Sequence, residues 1–214
     1  MPDNELYFKI LQYTLLGADQ NYAAGRCLWF HLAMREAANL LSLAIEQAMK
    51  VLYVQQKLEE RDLQSLIAQK HSHNPQYQYD PQEIDRAKIN KLLAHVMHGL
   101  LRDHKLMHLA DRLKNESVID LTGFAATLEN INKFYDLRYY SPVGYAQIGS
   151  NEIDSIDRIF FLLRASMRPP LISNLYIGPA FGVFNNNGRN LTTFTFYQNK
   201  SFAQPAYPIS GQSG

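Results

Sequence analysis

Histidine has the widest chemical range of the side chains in this sequence, and four of the seven histidines lie close together. His95 and His98 are three residues apart, and His104 and His108 are four apart. On a helix, residues at these spacings share a face, as two imidazoles must if they are to hold one metal ion. A third ligand at a matching spacing is missing, and the sequence has no HExxH pattern. The sequence therefore predicts ordinary helix histidines, with no metal site and no cofactor.

Residues that supply nucleophiles or proton-transfer pairs are sparse. The sequence contains no Gly-x-Ser-x-Gly elbow, no Walker phosphate loop and no Gly-x-Gly-x-x-Gly dinucleotide motif. Cys27 is the only cysteine and stands among apolar residues, so we expect it to pack, and an intramolecular disulfide is excluded. Asp154 and Asp157 are three residues apart, and we expect them on a solvated helix face rather than in an acid–base pair.

Length and composition predict one globular core. The chain has 214 residues, 46% of them hydrophobic, and a formal net charge of +1. This balance excludes the broad basic surface that duplex-binding proteins usually carry. The first twenty residues are acidic and only briefly apolar, so we expect neither a signal peptide nor a membrane span. Together with the lone cysteine, this predicts a cytoplasmic protein.

Apolar residues at spacings of three and four predict an up-and-down helix bundle. The strongest pattern runs from Met34 to Lys57, with Glu46 and Lys50 one turn apart and able to pair. Gly17 is expected to end the first helix, because glycine lowers helix stability. The other predicted helices cover residues 5–16, 18–30 and 80–113, a stretch from Thr122 to before Pro142, and a stretch from Ser150 to before Pro169.

Beyond Pro169 and Pro170 the pattern changes from helix to strand. Residues 175–184 and 191–202 are rich in Thr, Phe, Tyr and Val, and an Asn-Gly turn signal stands between them. We therefore predict a mainly α protein with a helical bundle domain over residues 1–170, followed by a short β-hairpin and loose tail over residues 171–214. An isolated hairpin is marginally stable in water, so this one should pack its aromatic face on the bundle or pair with a second chain.

One stretch of the sequence resembles the HEPN superfamily of all-α domains, found in prokaryotic toxin–antitoxin, defence and nucleotide-handling systems. The run ADQNYAAGRCLWFHLAMREAANLLSLAIEQAMKVLYV looks like its opening helical pair, with Asp19 and Tyr22 in the first helix and Glu46 and Lys50 in the second. HKLMHLADRL is similar to the third helix, and FYDLRYYSP, which contains Arg138, resembles the end of the fourth. The resemblance covers roughly residues 18–145.

The resemblance implies a bundle of four or five helices, often a homodimer, and in active members a metal-independent ribonuclease. That activity uses an arginine followed by a histidine about one to two helical turns later. No histidine follows Arg138 at this distance, but the pair occurs in the first helix as Arg26 and His31. Five residues on an ideal helix turn two side chains well apart. Arg26 and His31 are therefore the catalytic candidates if the chain is an enzyme, and packing or surface roles are the alternative.

The missing histidine favours a non-catalytic HEPN-like binding or interaction module of a prokaryotic stress or defence system. We expect a homodimer or a complex with a partner protein, and RNA or a nucleotide as ligand. Arg138, Tyr139 and Tyr140 are the expected ligand contacts, because arginine recognises phosphate well. The alternative role of Arg138 is to cap a helix C-terminus.

Two other functions stay open at this point. One is a toxin-like ribonuclease that uses Arg26 with His31 or with a histidine of the region from His95 to His108. The other is a structural or assembly subunit whose tail hairpin joins another chain.

Overall fold

Five α-helices make up most of the chain that the computed structural model describes, which is residues 3–57, 103–136, 148–167 and 198–202. A short 3-10 turn at Thr122–Phe124 leads into the fourth helix. Within these ranges no residue lies in a strand, and no helix is long and apolar enough to cross a membrane. The helices are α1 (Asp3–Phe30), α2 (Met34–Lys57), α3 (Leu106–Asn115), α4 (Ala125–Asp136) and α5 (Ser150–Ala165).

Helix α2 is the central helix, because α1, α3, α4 and α5 all pack against it. Its predicted apolar face is confirmed, since the five residues that repeat on that face are at most 1% exposed. Burying this stripe supplies the hydrophobic driving force that holds α2 in place. The buried residues of the predicted face are Ala37, Leu41, Ala44, Ala48 and Val51.

Helix α1 is continuous over 28 residues, so the prediction that Gly17 ends a first helix is wrong. Glycine in a helix interior costs about 1 kcal/mol relative to alanine. The apolar residues on either side of Gly17, Leu15 and Ala18, are fully buried in the core that α1 shares with α2. Tertiary packing therefore outweighs the local preference for a helix end.

Gly25 lies at a close approach of α1 to α2. A Cβ atom there would stand 2.7 Å from Leu41 Cγ and 3.2 Å from the backbone oxygen of Ala37. The absence of a side chain therefore allows the close approach of α1 to α2. Residues 31–33 then turn the chain directly into α2, with Leu32 at φ 61° and 77% exposed.

The remaining helices follow their apolar patterns. Helix α3 buries Leu106, Leu109 and Leu113, as their spacing predicts. Helix α5 begins at Ser150, as predicted, and ends at Ala165. The predicted helix over residues 80–113 is not helical at residues 103–105, and α3 begins at Leu106. The part of it that precedes residue 103 lies outside the described residues, as do the predicted domain boundary and most of the hairpin.

Residues 198–202 form turns, so the prediction of a strand through these five residues is wrong. The reason is local: the side-chain oxygen of Asn199 accepts hydrogen bonds from the backbone N–H groups of Ser201 and Phe202. Gln198 also has a φ of 52°, which no β-strand accommodates. Phe202 is 1% exposed and packs against Tyr22 of α1 and against α5.

Glycine-to-alanine substitutions in α1 should have opposite effects at two positions. Gly25→Ala should lower the free energy of unfolding by about 1–2 kcal/mol, because overpacking against Leu41 outweighs the gain in helix propensity. Gly17→Ala should raise it by about 0.5–1 kcal/mol, because its Cβ would meet nothing closer than 3.6 Å. Urea denaturation of both variants measures this difference, and a stabilising Gly25→Ala would contradict the close approach.

Candidate functional site

Two buried ion pairs connect helices α1 and α5 in the interior, and each helix supplies one acidic and one basic residue. Arg26 Nη1 of α1 lies 2.8 Å from Asp157 Oδ2 of α5, and Arg164 Nε of α5 lies 3.1 Å from Asp19 Oδ1 of α1. All four residues are at most 1% exposed. Because a buried charge is tolerated only with a partner, each of these side chains fixes the position of the other helix.

The two helices carry the same pattern, an aspartate followed three residues later by an aromatic residue and seven residues later by an arginine. The aromatic rings in the middle, Tyr22 and Phe160, stack with centroids 4.2 Å apart and an interplanar angle of 9°. Each aspartate pairs with the arginine of the other helix, so the helices run antiparallel. We call this arrangement the charge clamp: Asp19, Tyr22 and Arg26 of α1 with Asp157, Phe160 and Arg164 of α5.

The expectation that Asp157 lies on a solvated helix face is wrong, because its side chain is 1% exposed. Asp154, three residues earlier, is 36% exposed and pairs with Lys200. Sequence reasoning therefore missed Asp157 as a site residue. The signal that could have found it is the aspartate–aromatic–arginine pattern that α1 and α5 share.

The two ends of the charge clamp differ in their polar neighbours. At the Arg26 end, the Tyr22 hydroxyl donates a 2.5 Å hydrogen bond to Asp157 Oδ1 and accepts one of 2.7 Å from Asn199 Nδ2. On α5 the corresponding ring is Phe160, which has no hydroxyl, and at the other end Arg164 Nη1 donates a hydrogen bond to the sulfur of Met167. The Arg26 end therefore carries polar groups beyond the ion pair itself.

A pocket of about 440 Å³ opens at the Arg26 end, between α1, α5 and residues 198–202. Arg26 is 1% exposed and so lies at its base. Asn199 and Trp29 also line it, and at its rim Lys200 Nζ lies 2.7 Å from Asp154 Oδ2, with the lysine side chain 83% exposed. The described lining thus includes a buried cation, an exposed cation paired with the carboxylate of Asp154, and an indole.

Trp29 and Arg26 hold each other in place beside the pocket. The indole nitrogen of Trp29 donates a 2.8 Å hydrogen bond to the backbone oxygen of Ile148. The guanidinium carbon of Arg26 lies 5.8 Å from the centroid of the Trp29 ring and 5.4 Å from that of Phe30, within the range of cation–π attraction. These contacts hold both side chains in defined positions beside the pocket.

Burial raises the pKa of Asp157 to about 6, although the positive charge of Arg26 and the hydrogen bond from Tyr22 both act to lower it. The pKa of Tyr22 is raised well above its ordinary value of 10.0, chiefly by burial and by the negative charge of Asp157. Tyr22 thus stays neutral at physiological pH, whereas Asp157 gains or loses its proton at a pH only slightly below it.

A second buried charged group lies on α2. Glu46 Oε1 accepts hydrogen bonds from Lys50 Nζ at 2.7 Å and contacts His104 Nδ1 at 2.9 Å. The predicted pairing of Glu46 with Lys50 is confirmed, but inside the protein, since both side chains are at most 8% exposed. The side chain of His104 is 42% exposed, so a buried carboxylate orients a half-exposed imidazole.

The predicted catalytic pair lies in two different environments. Arg26 is buried in the charge clamp, whereas His31 is exposed in the turn between α1 and α2. The predicted ligand contacts Arg138, Tyr139 and Tyr140 lie outside the described residues.

Within the described ranges, no group of three or more histidine, cysteine, aspartate or glutamate side chains could hold a metal ion. His95 and His98 lie outside those ranges. Cys27 is partly buried, and burial raises the pKa of its thiol.

A scan against models of protein families finds no match to this chain. Searches of curated proteins and of solved structures find no similar protein either.

The stability of the protein should depend on pH through Asp157. The pKa of this carboxyl is about 6 in the folded protein and 3.8 as its ordinary value, so the folded state binds the proton more tightly. Its contribution to stability is therefore fully present below about pH 4 and is lost as the pH rises through 6, amounting to about 3 kcal/mol in all.

Urea denaturation at a series of pH values between about 4 and 7.5 measures this loss. Asp157→Asn should abolish that part of the pH dependence, while Asp111→Asn, at an exposed position of α3, should keep it. Identical pH profiles for the wild type and Asp157→Asn would contradict the prediction.

Proposed function

We propose that this chain is a non-catalytic helical binding module that holds a nucleotide in the pocket between α1, α5 and residues 198–202. The observation that supports this most directly is the guanidinium of Arg26, fixed by Asp157 at the base of the pocket with the indole of Trp29 beside it. The pocket volume of about 440 Å³ is in the range typical of small-molecule sites.

The two cations and the indole of the lining each match one part of a nucleotide. Arginine and lysine bind phosphate oxygens, and Lys200 is exposed at the rim where a phosphate would enter. An indole offers a flat apolar surface on which a base can stack, a contact worth about 1–3 kcal/mol per base in single-stranded nucleic-acid complexes. The ligand would therefore place its base against Trp29 and its phosphate near Lys200 and Arg26.

The charge clamp supports this proposal by making the site rigid. Asp157 and the rings of Trp29 and Phe30 hold Arg26, and the hydrogen bond to Ile148 holds Trp29. A site whose side chains are already ordered loses little conformational entropy on binding.

The resemblance to HEPN domains remains part of the proposal, and so does a role in a prokaryotic stress or defence system. It would make the functional unit a homodimer or a complex with a partner protein. Arg138, Tyr139 and Tyr140 would then be further ligand contacts.

A second candidate function is metal-independent cleavage of RNA with His104 as the proton-transfer group. The contact between Glu46 and His104 favours it, because a buried carboxylate that orients an imidazole is a recurring feature of general base catalysis. His31 is the alternative histidine for the same reaction.

Trp29 is the only tryptophan of the chain, so its fluorescence reports directly on the pocket. Uridine monophosphate should change that fluorescence in a saturable way, and uridine or inorganic phosphate alone should bind roughly tenfold more weakly, because each lacks one of the two contacts. Lys200→Ala should weaken nucleotide binding about fivefold. Lys105→Ala, an exposed lysine outside the pocket lining, should leave it unchanged.

Two results would contradict the proposed function. One is a fluorescence that does not respond to the nucleotide, or a response that Lys200→Ala and Lys105→Ala alter equally. The other is cleavage of RNA in the presence of a metal chelator that is lost in His104→Ala or His31→Ala, which would support the catalytic alternative.

A further inference from the structure

Asp157 lies directly behind the pocket and shares one of the pocket's cations. Its Oδ2 atom is paired with Arg26, which lines the pocket, and its Oδ1 atom accepts the hydrogen bond from Tyr22. Any anion in the pocket would therefore compete with the Asp157 carboxylate for the positive charge of Arg26.

The charges around the pocket are balanced while Asp157 is ionised. The described charged groups at the site are two cations, Arg26 and Lys200, and two anions, Asp154 and Asp157. Protonation of Asp157 leaves this group with one net positive charge. Because the interior screens charges less than water does, that change acts strongly on an anion in the pocket.

We infer that anion binding in this pocket is coupled to protonation of Asp157, so that the phosphate-bearing ligand binds most tightly to the protonated protein and takes up a proton as it binds. This inference rests on the proposed function, which it extends from nucleotide binding to proton-linked nucleotide binding. By linkage, a bound anion favours the protonated carboxyl to the same extent that the protonated carboxyl favours the anion.

Among the described charged groups at the pocket, Asp157 is the one that titrates near neutral pH. From α1 it faces Arg26 and Tyr22, whose pKa burial raises well above 10.0, and from α5 it faces Asp154. Among residues 198–202, Asn199 donates a hydrogen bond to the Tyr22 hydroxyl, which in turn donates one to Asp157. The hydrogen bond to Asp154 raises the pKa of Lys200. With its own pKa at about 6, Asp157 changes charge between about pH 5 and 7.

The test needs a ligand whose charge is constant over this range. A phosphate monoester loses a proton near pH 6, so a phosphodiester, the dinucleotide UpU, is the suitable probe. Its affinity for the wild-type protein should rise roughly tenfold from about pH 7.5 to about pH 5.5. Isothermal titration calorimetry near pH 6.5, in buffers of different ionisation enthalpy, should show uptake of a fraction of a proton for each UpU bound.

Two variants test whether the proton taken up on UpU binding goes to Asp157. Asp157→Asn should bind UpU independently of pH and without proton uptake. Tyr22→Phe keeps the ring stack and removes a hydrogen bond that lowers the pKa of Asp157, so the midpoint of the affinity profile should move to higher pH. Asp111→Asn, outside the pocket lining, should keep the wild-type profile.

The outcomes separate the inference from the proposed function. UpU binding to the wild type with no proton uptake, and with a pH profile that Tyr22→Phe does not move, would overturn the inference and leave the proposed function standing. If UpU does not bind to the wild type at any pH, the inference is overturned, and the uridine monophosphate titration decides separately whether the proposed function falls with it. The wild-type and Tyr22→Phe measurements decide the matter even if Asp157→Asn does not fold.

Discussion

Two buried ion pairs between α1 and α5 constrain the rest of this structure. Removing one partner from a buried pair commonly costs about 3–5 kcal/mol, because the remaining charge is left without compensation in the interior. Here each helix contributes one aspartate and one arginine, seven residues apart. A parallel arrangement would bring like charges together, so the pattern itself favours the antiparallel orientation. The Tyr22–Phe160 stack fills the space between the two pairs.

The candidate site lies at the Arg26 end of the charge clamp, where the residues of α1 and α5 are not equivalent. Tyr22 has a hydroxyl where α5 has Phe160, and that hydroxyl is hydrogen-bonded to both Asp157 and Asn199. Residues 198–202, which include Asn199, form one wall of the pocket, and the buried side chain of Phe202 holds them against the core. The Arg26 end of the clamp therefore places a buried arginine at the base of a pocket, with a titrating carboxyl behind it. The proposed ligand site rests on this arrangement.

Much of the fold could be predicted from the sequence, because helical periodicity is a local property. The apolar face of α2 and the leucines of α3 followed directly from spacing. Local rules failed at Gly17 and at residues 198–202, where tertiary packing and an asparagine side chain decide the backbone conformation. The candidate site is harder to predict from the sequence, because Arg26 and Asp157 are 131 residues apart. No local pattern predicts which two helices will face each other. The family resemblance points to Arg26, whereas the spacing of Asp154 and Asp157 predicts that Asp157 faces solvent.

The central claim is that the two ion pairs of the charge clamp hold α1 against α5. It is tested most directly by a double-mutant cycle on Asp19 and Arg164, the pair distant from the pocket. The free energy of unfolding would be measured for Asp19→Asn, Arg164→Met and the double variant. Each single substitution should cost about 3 kcal/mol or more, and the double variant should cost clearly less than the two together, because neither charge is then left alone. Strictly additive costs would show that the two residues act independently and would contradict the claim.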